Sequence, residues 1–254
     1  MTIAISAVYG LLIGSFLSVV VDRVPRGASI VSPGSACGAC GLRLGVLDLF
    51  PVFSWLALRG RCRRCRTPIG AEPLVLELLM GALFGAMAWK FGFSWELPAF
   101  CIFAAGLVAL SRIDLITMRL PREITYVTAA LGVPFLVIAA FVRGEPERLL
   151  WTLAGAAIAG AFMGLVYVAS RGGMGDGDVR LAPLLGGYLG WLKLGYVPVG
   201  LFIGFFAGAF VGGLLMLFGK AGRRTAVPFG PFLAFGALTA VFTGQWFIDL
   251  VWRV

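Results

Sequence analysis

Eight apolar stretches, most of them long enough to cross a bilayer as helices, constrain this chain more than any other feature of its sequence. They lie near residues 2–21, 73–89, 97–113, 124–142, 149–170, 181–195, 196–219 and 231–249. A transmembrane helix needs about 20 mostly apolar residues. Charged residues make up only 13% of the chain, about half of their share in soluble domains. The sequence therefore predicts an all-α polytopic membrane protein with about eight transmembrane helices.

The basic residues predict how these stretches are oriented. No basic residue precedes the first stretch and two follow it, which is the reverse of a cleavable signal peptide and indicates a retained anchor. Lys and Arg concentrate in the cytoplasmic loops of membrane proteins. If the N-terminus lies outside, most of the basic residues of this chain fall in predicted cytoplasmic segments. These are Arg23, Arg26, Arg43, Arg59, Arg61, Arg63, Arg64, Arg66, Arg112, Arg119, Arg122, Arg171, Arg180, Lys220, Arg223 and Arg224, against Lys90, Arg143, Arg148, Lys193 and Arg253 outside. The basic excess thus reflects membrane topology, so we expect lipid contacts and no nucleic-acid partner.

The only sizeable polar block, residues 22–72, is predicted to be cytoplasmic and is rich in Gly, Pro and Arg. It holds four of the five cysteines as two Cys-x-x-Cys pairs, Cys37 with Cys40 and Cys62 with Cys65. This spacing is close to zinc-ribbon patterns, and four thiolates give the closed coordination of a structural zinc. Redox or disulfide use is the alternative, although a reducing cytoplasm disfavours stable disulfides. We therefore expect a small domain stapled by zinc, with Cys101 packing inside an apolar stretch.

Two acidic residues lie where apolar stretches end at the same predicted membrane face. Asp114 follows the stretch 97–113, and Asp178 comes after the stretch 149–170. Both stretches run from outside to inside, so both carboxylates should emerge on the cytoplasmic side. Glycines surround the second aspartate at positions 172, 173, 175 and 177, and we expect them to let the backbone bend closely around it and a substrate.

A pair of neighbouring carboxylates has a specific chemistry. Because both cannot ionise cheaply when close together, one keeps a proton. The ionised partner can activate water while the protonated partner polarises a carbonyl. The chain has no histidine, which excludes Ser-His and Cys-His triads and a His-ligated catalytic metal. The alternative is that Asp114 only neutralises Arg112 and Arg119 and that the glycines form an ordinary turn.

Five segments, in order along the chain, resemble the Gly-x-Gly-Asp membrane aspartyl proteases, specifically the type IV prepilin peptidases. They are residues 14–25, 48–65, 114–121, 175–178 and 228–232. The family pairs an Asp shortly before Leu-Pro with the Asp that closes Gly-x-Gly-Asp, which here correspond to Asp114 and Asp178. The chain departs from the common family pattern at Ser18, Asp22, Arg122 and Arg180.

The resemblance implies an enzyme with two activities. Asp114 and Asp178 would be catalytic in cutting the leaders of type IV prepilins or pseudopilins at the cytoplasmic face of the bacterial inner membrane. Family members with the N-terminal cytoplasmic domain then methylate the new N-terminal amine from S-adenosylmethionine. We accordingly expect a methyltransferase-associated part at 1–90, with anchor, cysteine domain and second span, and a peptidase domain at 91–254.

Several alternatives stay open at this point. Without a Gly-x-Gly-x-x-Gly motif, the residues that would bind S-adenosylmethionine are unknown. For Glu77 the alternatives are a role in methylation or substrate binding and a carboxylate inside the membrane whose hydrogen bonds are satisfied within the protein. For Asp176 they are a position that lines its loop and a direct contact with substrate. Rival functions are a peptidase without methyltransferase activity, a proton- or cation-coupled transporter using Asp114 and Asp178, and a membrane-anchored zinc adaptor. The particular pilins processed and the oligomeric state do not follow from the sequence.

Overall fold

The chain is predominantly helical in the part that the structure, a computed structural model, describes, namely residues 1–171, 173–218 and 227–251. The helices are α1 Thr2–Arg23, α2 Phe53–Ala57, α3 Glu72–Phe91, α4 Glu96–Thr117, α5 Arg122–Arg143, α6 Glu147–Ala169, α7 Asp176–Leu192, α8 Tyr196–Leu217 and α9 Gly230–Val251. Within these residues β-structure is limited to two isolated bridges. The predicted all-α fold is confirmed.

Each of the eight predicted stretches corresponds to a long helix, with ends that differ by a few residues. Seven of these helices are long and apolar enough to cross a membrane, so the chain is a multi-pass membrane protein. The remaining one is α7, which has 17 residues and overlaps the predicted stretch 181–195. The helix begins five residues before the predicted stretch, since it includes the polar segment 176–180. The predicted loop residues Gly172, Lys220, Arg223, Arg224 and Arg253 lie outside the described residues.

The outer surface of α8 shows why this fold needs lipid. Phe202, Phe206 and Phe210 recur every four residues and therefore share one helix face. Their exposed fractions are 64%, 63% and 59%, and successive rings lie 6.1 and 6.4 Å apart between centroids. A contiguous aromatic face of this kind is unfavourable in water. In a bilayer the acyl chains cover it.

The chain divides into two units, residues 1–97 and 98–254. In the first unit, α1 packs along α3, and residues 24–71 connect them through turns and the short α2. The indole Nε1 of Trp55 in α2 donates a hydrogen bond to the carbonyl of Gly70 at 2.7 Å. This bond fixes α2 against the end of the connecting segment, which has little regular structure of its own.

In the second unit, α6 packs on α7 and α8 packs on α9. The residues of α7 from Leu181 to Trp191 are nearly all buried. Tyr188 of α7 stacks on Phe103 of α4, with ring centroids 4.2 Å apart, and meets Phe100 edge-on at 5.4 Å. These contacts hold α4 against α7 and so determine where the polar ends of the two helices lie.

Candidate active site and metal centre

Asp114 lies in the last turn of α4 and is only 5% exposed. Its Oδ2 accepts a hydrogen bond from the backbone N–H of Gly230, the first residue of α9, at 2.9 Å. The first N–H groups of a helix have no partner within the helix, so the start of α9 offers a natural donor to a carboxylate. The segment 228–232 therefore contributes directly to the surroundings of Asp114.

Asp178 lies in the first turn of α7, which is outside the seven apolar spans, and is 6% exposed. Burial raises the pKa of Asp178 to about 7, and the negative charge of Asp114 acts in the same direction. Among the described residues, no hydrogen-bond partner reaches its Oδ1. The structure thus brings the two predicted carboxylates within electrostatic reach of each other, with one oxygen unpartnered.

The side chain of Leu120 lies between the helix ends that carry this pair. A Cβ atom at Gly177 would lie 2.8 Å from the Cβ of Leu120, and a Cβ at Gly230 would lie 2.9 Å from its Cδ2. Both distances are shorter than side chains tolerate, so each glycine is required for close approach. Sequence reasoning gave neither Leu120 nor Gly230 a role, although both belong to segments that resemble the family.

The structure corrects one expectation about the glycines. Gly177 is inside α7 and does not bend the backbone; its function is the contact with Leu120. Gly175 has φ −71° and ψ 141° and immediately precedes the helix. Asp176 is two-thirds exposed and forms an ion pair with Arg180 one turn further along α7, so it points away from the buried pair.

The four predicted zinc ligands come together in the first unit. The Sγ atoms of Cys37 and Cys65 are 3.7 Å apart, and those of Cys40 and Cys62 are 3.9 Å apart. All four lie within 4.8 Å of one another. A tetrahedron with Zn–S bonds of about 2.3 Å has edges of about 3.8 Å, whereas a disulfide needs about 2.05 Å. The cluster therefore fits one metal ion, consistent with zinc.

The two Cys-x-x-Cys pairs share one local geometry. In each pair the first cysteine donates its N–H to the carbonyl five residues on, at 2.9 Å. It also accepts an N–H from the residue four positions on, which is Gly41 for Cys37 at 2.9 Å and Arg66 for Cys62 at 3.1 Å. Two equivalent turns thus present two thiols each. The repeated hydrogen bonding explains how a short, Gly-rich segment can position four ligands.

Glu77, whose role was open, is 5% exposed in the second turn of α3. Its Oε2 accepts the backbone N–H of Val52 at 2.7 Å. Val52 has φ 63°, an uncommon conformation for a β-branched residue. Glu77 therefore helps to hold the polar segment against α3, and its other carboxylate oxygen has no hydrogen-bond partner among the described residues.

Comparison with known proteins gives two family matches along the chain. Residues 8–91 match the bacterial peptidase A24 N-terminal domain, and residues 101–216 match the type IV leader peptidase family. The four cysteines and Glu77 fall in the first match, and both aspartates fall in the second. Gly230 lies beyond both matched regions. No solved structure matches the chain significantly.

Three curated relatives match over nearly their whole length. A protein of Stutzerimonas stutzeri is 33% identical over 94% of this chain and 89% of its own length. One from Burkholderia pseudomallei strain 1026b is 36% identical over 99% of this chain and 88% of its own length. One from Bacillus subtilis strain 168 is 30% identical over 96% of this chain and 95% of its own length. All three are named prepilin leader peptidase/N-methyltransferase. With this identity over most of both chains, the protein belongs to the type IV leader peptidase family.

Proposed function

We propose that this chain is an inner-membrane aspartic endopeptidase that removes the leaders of type IV prepilins or pseudopilins and then N-methylates the new N-terminal residue. The observation that carries the proposal is the buried carboxylate pair of Asp114 and Asp178, in a chain similar to relatives that are named for both activities. A transporter using the same pair is the weaker candidate, since it would need neither the four-cysteine segment nor the leader-peptidase similarity.

Cleavage follows from sharing one proton between the two carboxylates. With the pKa of Asp178 raised to about 7, the pair keeps a proton near neutral pH. The ionised carboxylate accepts a proton from water as the water oxygen bonds to the scissile carbonyl carbon. The protonated carboxyl donates to the carbonyl oxygen. The C–N bond then breaks, and a proton passes from the pair to the leaving amine, which is the N-terminus of the mature pilin.

The two activities are assigned to different parts of the chain. We place cleavage in residues 91–254, which contain both aspartates, and methylation in residues 1–90. The boundary near residue 90 stays a prediction. One zinc ion held by Cys37, Cys40, Cys62 and Cys65 would be structural, because four thiolates leave no open coordination position. S-adenosylmethionine would be the methyl donor.

The proposed orientation puts the N-terminus outside and the active site at the cytoplasmic face. Gly45 in the cysteine segment and Glu147 at the start of α6 are both exposed and are predicted to lie on opposite sides. In intact cells, a cysteine at Gly45 should be protected from an impermeant maleimide, whereas one at Glu147 should react. The unmodified protein sets the background from native cysteines. Ready labelling at residue 45, with protection at residue 147, would show that the topology is the reverse of the one proposed.

The Gly230→Ala variant tests the surroundings of the pair. The added Cβ would lie 2.9 Å from both Asp114 Oδ2 and Leu120 Cδ2, so the carboxylate must move. Displacement by about 1 Å can cost about 100-fold in rate, and we expect prepilin cleavage to fall at least about 10-fold. Mass spectrometry of a purified prepilin measures the rate. The control is Gly164→Ala in α6, where no atom lies within 4 Å of the new Cβ. A wild-type rate of prepilin cleavage by Gly230→Ala would show that Gly230 is not needed to position Asp114.

A further inference from the structure

The first unit contains a cavity of about 590 Å³ that neither Asp114 nor Asp178 lines. Its walls come from α1, the cysteine segment, α2 and the beginning of α3. Cavities that hold small molecules usually measure about 300–1,000 Å³ and combine apolar walls with a few polar groups. This one includes Ser15 and Ser18 of α1, Trp55 of α2 and Glu77 of α3. Its size and lining are those of a site for a compound as large as a nucleoside.

Glu77 gives the cavity its charge preference. The cavity is lined by three carboxylates, of which Asp22 pairs with Arg26 and Asp48 pairs with Arg63, each at 2.8 Å. Glu77 is the most buried of the three, and among the described residues no basic side chain pairs with it. A buried carboxylate without a counter-charge is costly. A cationic ligand in the cavity would supply the missing charge.

Trp55 adds a second feature that suits such a ligand. Its indole is fixed by the hydrogen bond to Gly70 and by packing against Gly60, where a Cβ would lie 2.8 Å from the ring. Aromatic faces attract cations and stack on nucleobases. A cavity lined by both a rigid indole and a carboxylate without a basic partner is therefore suited to a positively charged molecule with an aromatic base.

We propose that this cavity binds the methyl donor S-adenosylmethionine, with the Glu77 carboxylate balancing the charge of its sulfonium. The inference rests on the proposed methylation and supplies the cofactor-binding residues that the sequence did not reveal. With the donor bound, the pilin amine lone pair would form the N–C bond to the sulfonium methyl carbon as the C–S bond breaks. The C–S bond electrons stay on sulfur, and one N–H proton passes to water. Cys37 and Cys62 line the same cavity, so the four-cysteine cluster forms part of its wall.

The decisive variant is Glu77→Gln, because glutamine keeps an oxygen for the Val52 N–H and removes only the charge. Binding is measured by calorimetry on the full chain in detergent, with S-adenosylmethionine and with S-adenosylhomocysteine, which lacks the sulfonium charge. Losing a desolvated charge pair should weaken S-adenosylmethionine binding at least about 10-fold. S-adenosylhomocysteine should bind within about threefold of wild type. Glu72→Gln is the control, since Glu72 lies exposed on the same helix and outside the cavity.

Zinc content shows whether each variant keeps the fold of the first unit. Unchanged S-adenosylmethionine binding by Glu77→Gln with normal zinc would overturn the inference, as would a wild type that binds neither compound. If Glu77→Gln loses zinc, the Ser15→Trp variant is tested in its place. Its larger side chain should fill the cavity and weaken the binding of both compounds. Unchanged binding by Ser15→Trp would again overturn the inference. A wild type that binds S-adenosylmethionine but leaves the processed pilin unmethylated would contradict the proposed function and not the site.

Discussion

Asp114→Asn and Asp178→Asn should each reduce leader cleavage at least about 10³-fold, since positioned acid–base groups contribute about 10²–10⁴-fold. Asparagine has nearly the same shape as aspartate but cannot exchange the proton that the pair shares. Both side chains are almost fully buried, so water cannot easily replace the missing carboxylate. The measurement is the mass of a prepilin incubated with the purified variant, compared with the wild type.

Asp176→Asn is the matched control for this experiment. It lies two residues from Asp178 in the same helical turn, yet it is exposed and paired with Arg180. Its variant should retain measurable cleavage. Normal cleavage by a well-folded Asp114→Asn protein would show that the two-aspartate mechanism is wrong for this chain.

Cys62→Ser should separate the two activities, giving a pilin without its leader and without N-methylation. Cys62 is 2% exposed within the four-cysteine cluster. Metal binding can contribute on the order of 10 kcal/mol to the folding of a small zinc domain, so its loss should disorder residues 22–72. Helices in lipid satisfy their own backbone hydrogen bonds, and those of the second unit should keep Asp114 near Asp178. Mass spectrometry of the co-expressed pilin reads both reactions.

Elemental analysis provides the accompanying check. The wild type should carry about one zinc per chain, as one four-thiolate site requires. Cys101→Ser should keep that zinc, because Cys101 is buried in α4 and is not part of the cluster. Full methylation by a correctly inserted, zinc-free Cys62→Ser protein would refute the division of labour. Equal loss of both reactions would mean that the cysteine domain also presents substrate to the peptidase.

The long helices could be predicted from sequence because lipid imposes their length and composition. The start of α7 could not, since Gly177 has low helix propensity, whereas acidic residues in a first turn and the ion pair of Asp176 with Arg180 one turn on favour a helix there. The short α2 was missed for a similar reason: five residues carry little periodic signal, and Trp55 anchors them to Gly70.

The candidate sites also combine features that could be predicted from the sequence with features that could not. The cysteine spacing was enough to predict the cluster, because both pairs lie in local turns. The pairing of the two aspartates followed from topology and family resemblance. The hydrogen bond between Gly230 and Asp114 joins residues far apart in sequence, and the cavity beside Glu77 exists only when α1, α2 and α3 are assembled. Neither leaves a local pattern in the chain.

The contact between α9 and Asp114 also sets how short a catalytic fragment of this enzyme can be. The leader-peptidase match ends at residue 216, and a fragment cut there would retain both aspartates. It would nevertheless lack the backbone amide that orients the first of them and the glycine against which Leu120 packs. We therefore expect the minimal peptidase to extend through the last helix, because a protein trimmed to the region of family similarity would lack part of the surroundings of Asp114.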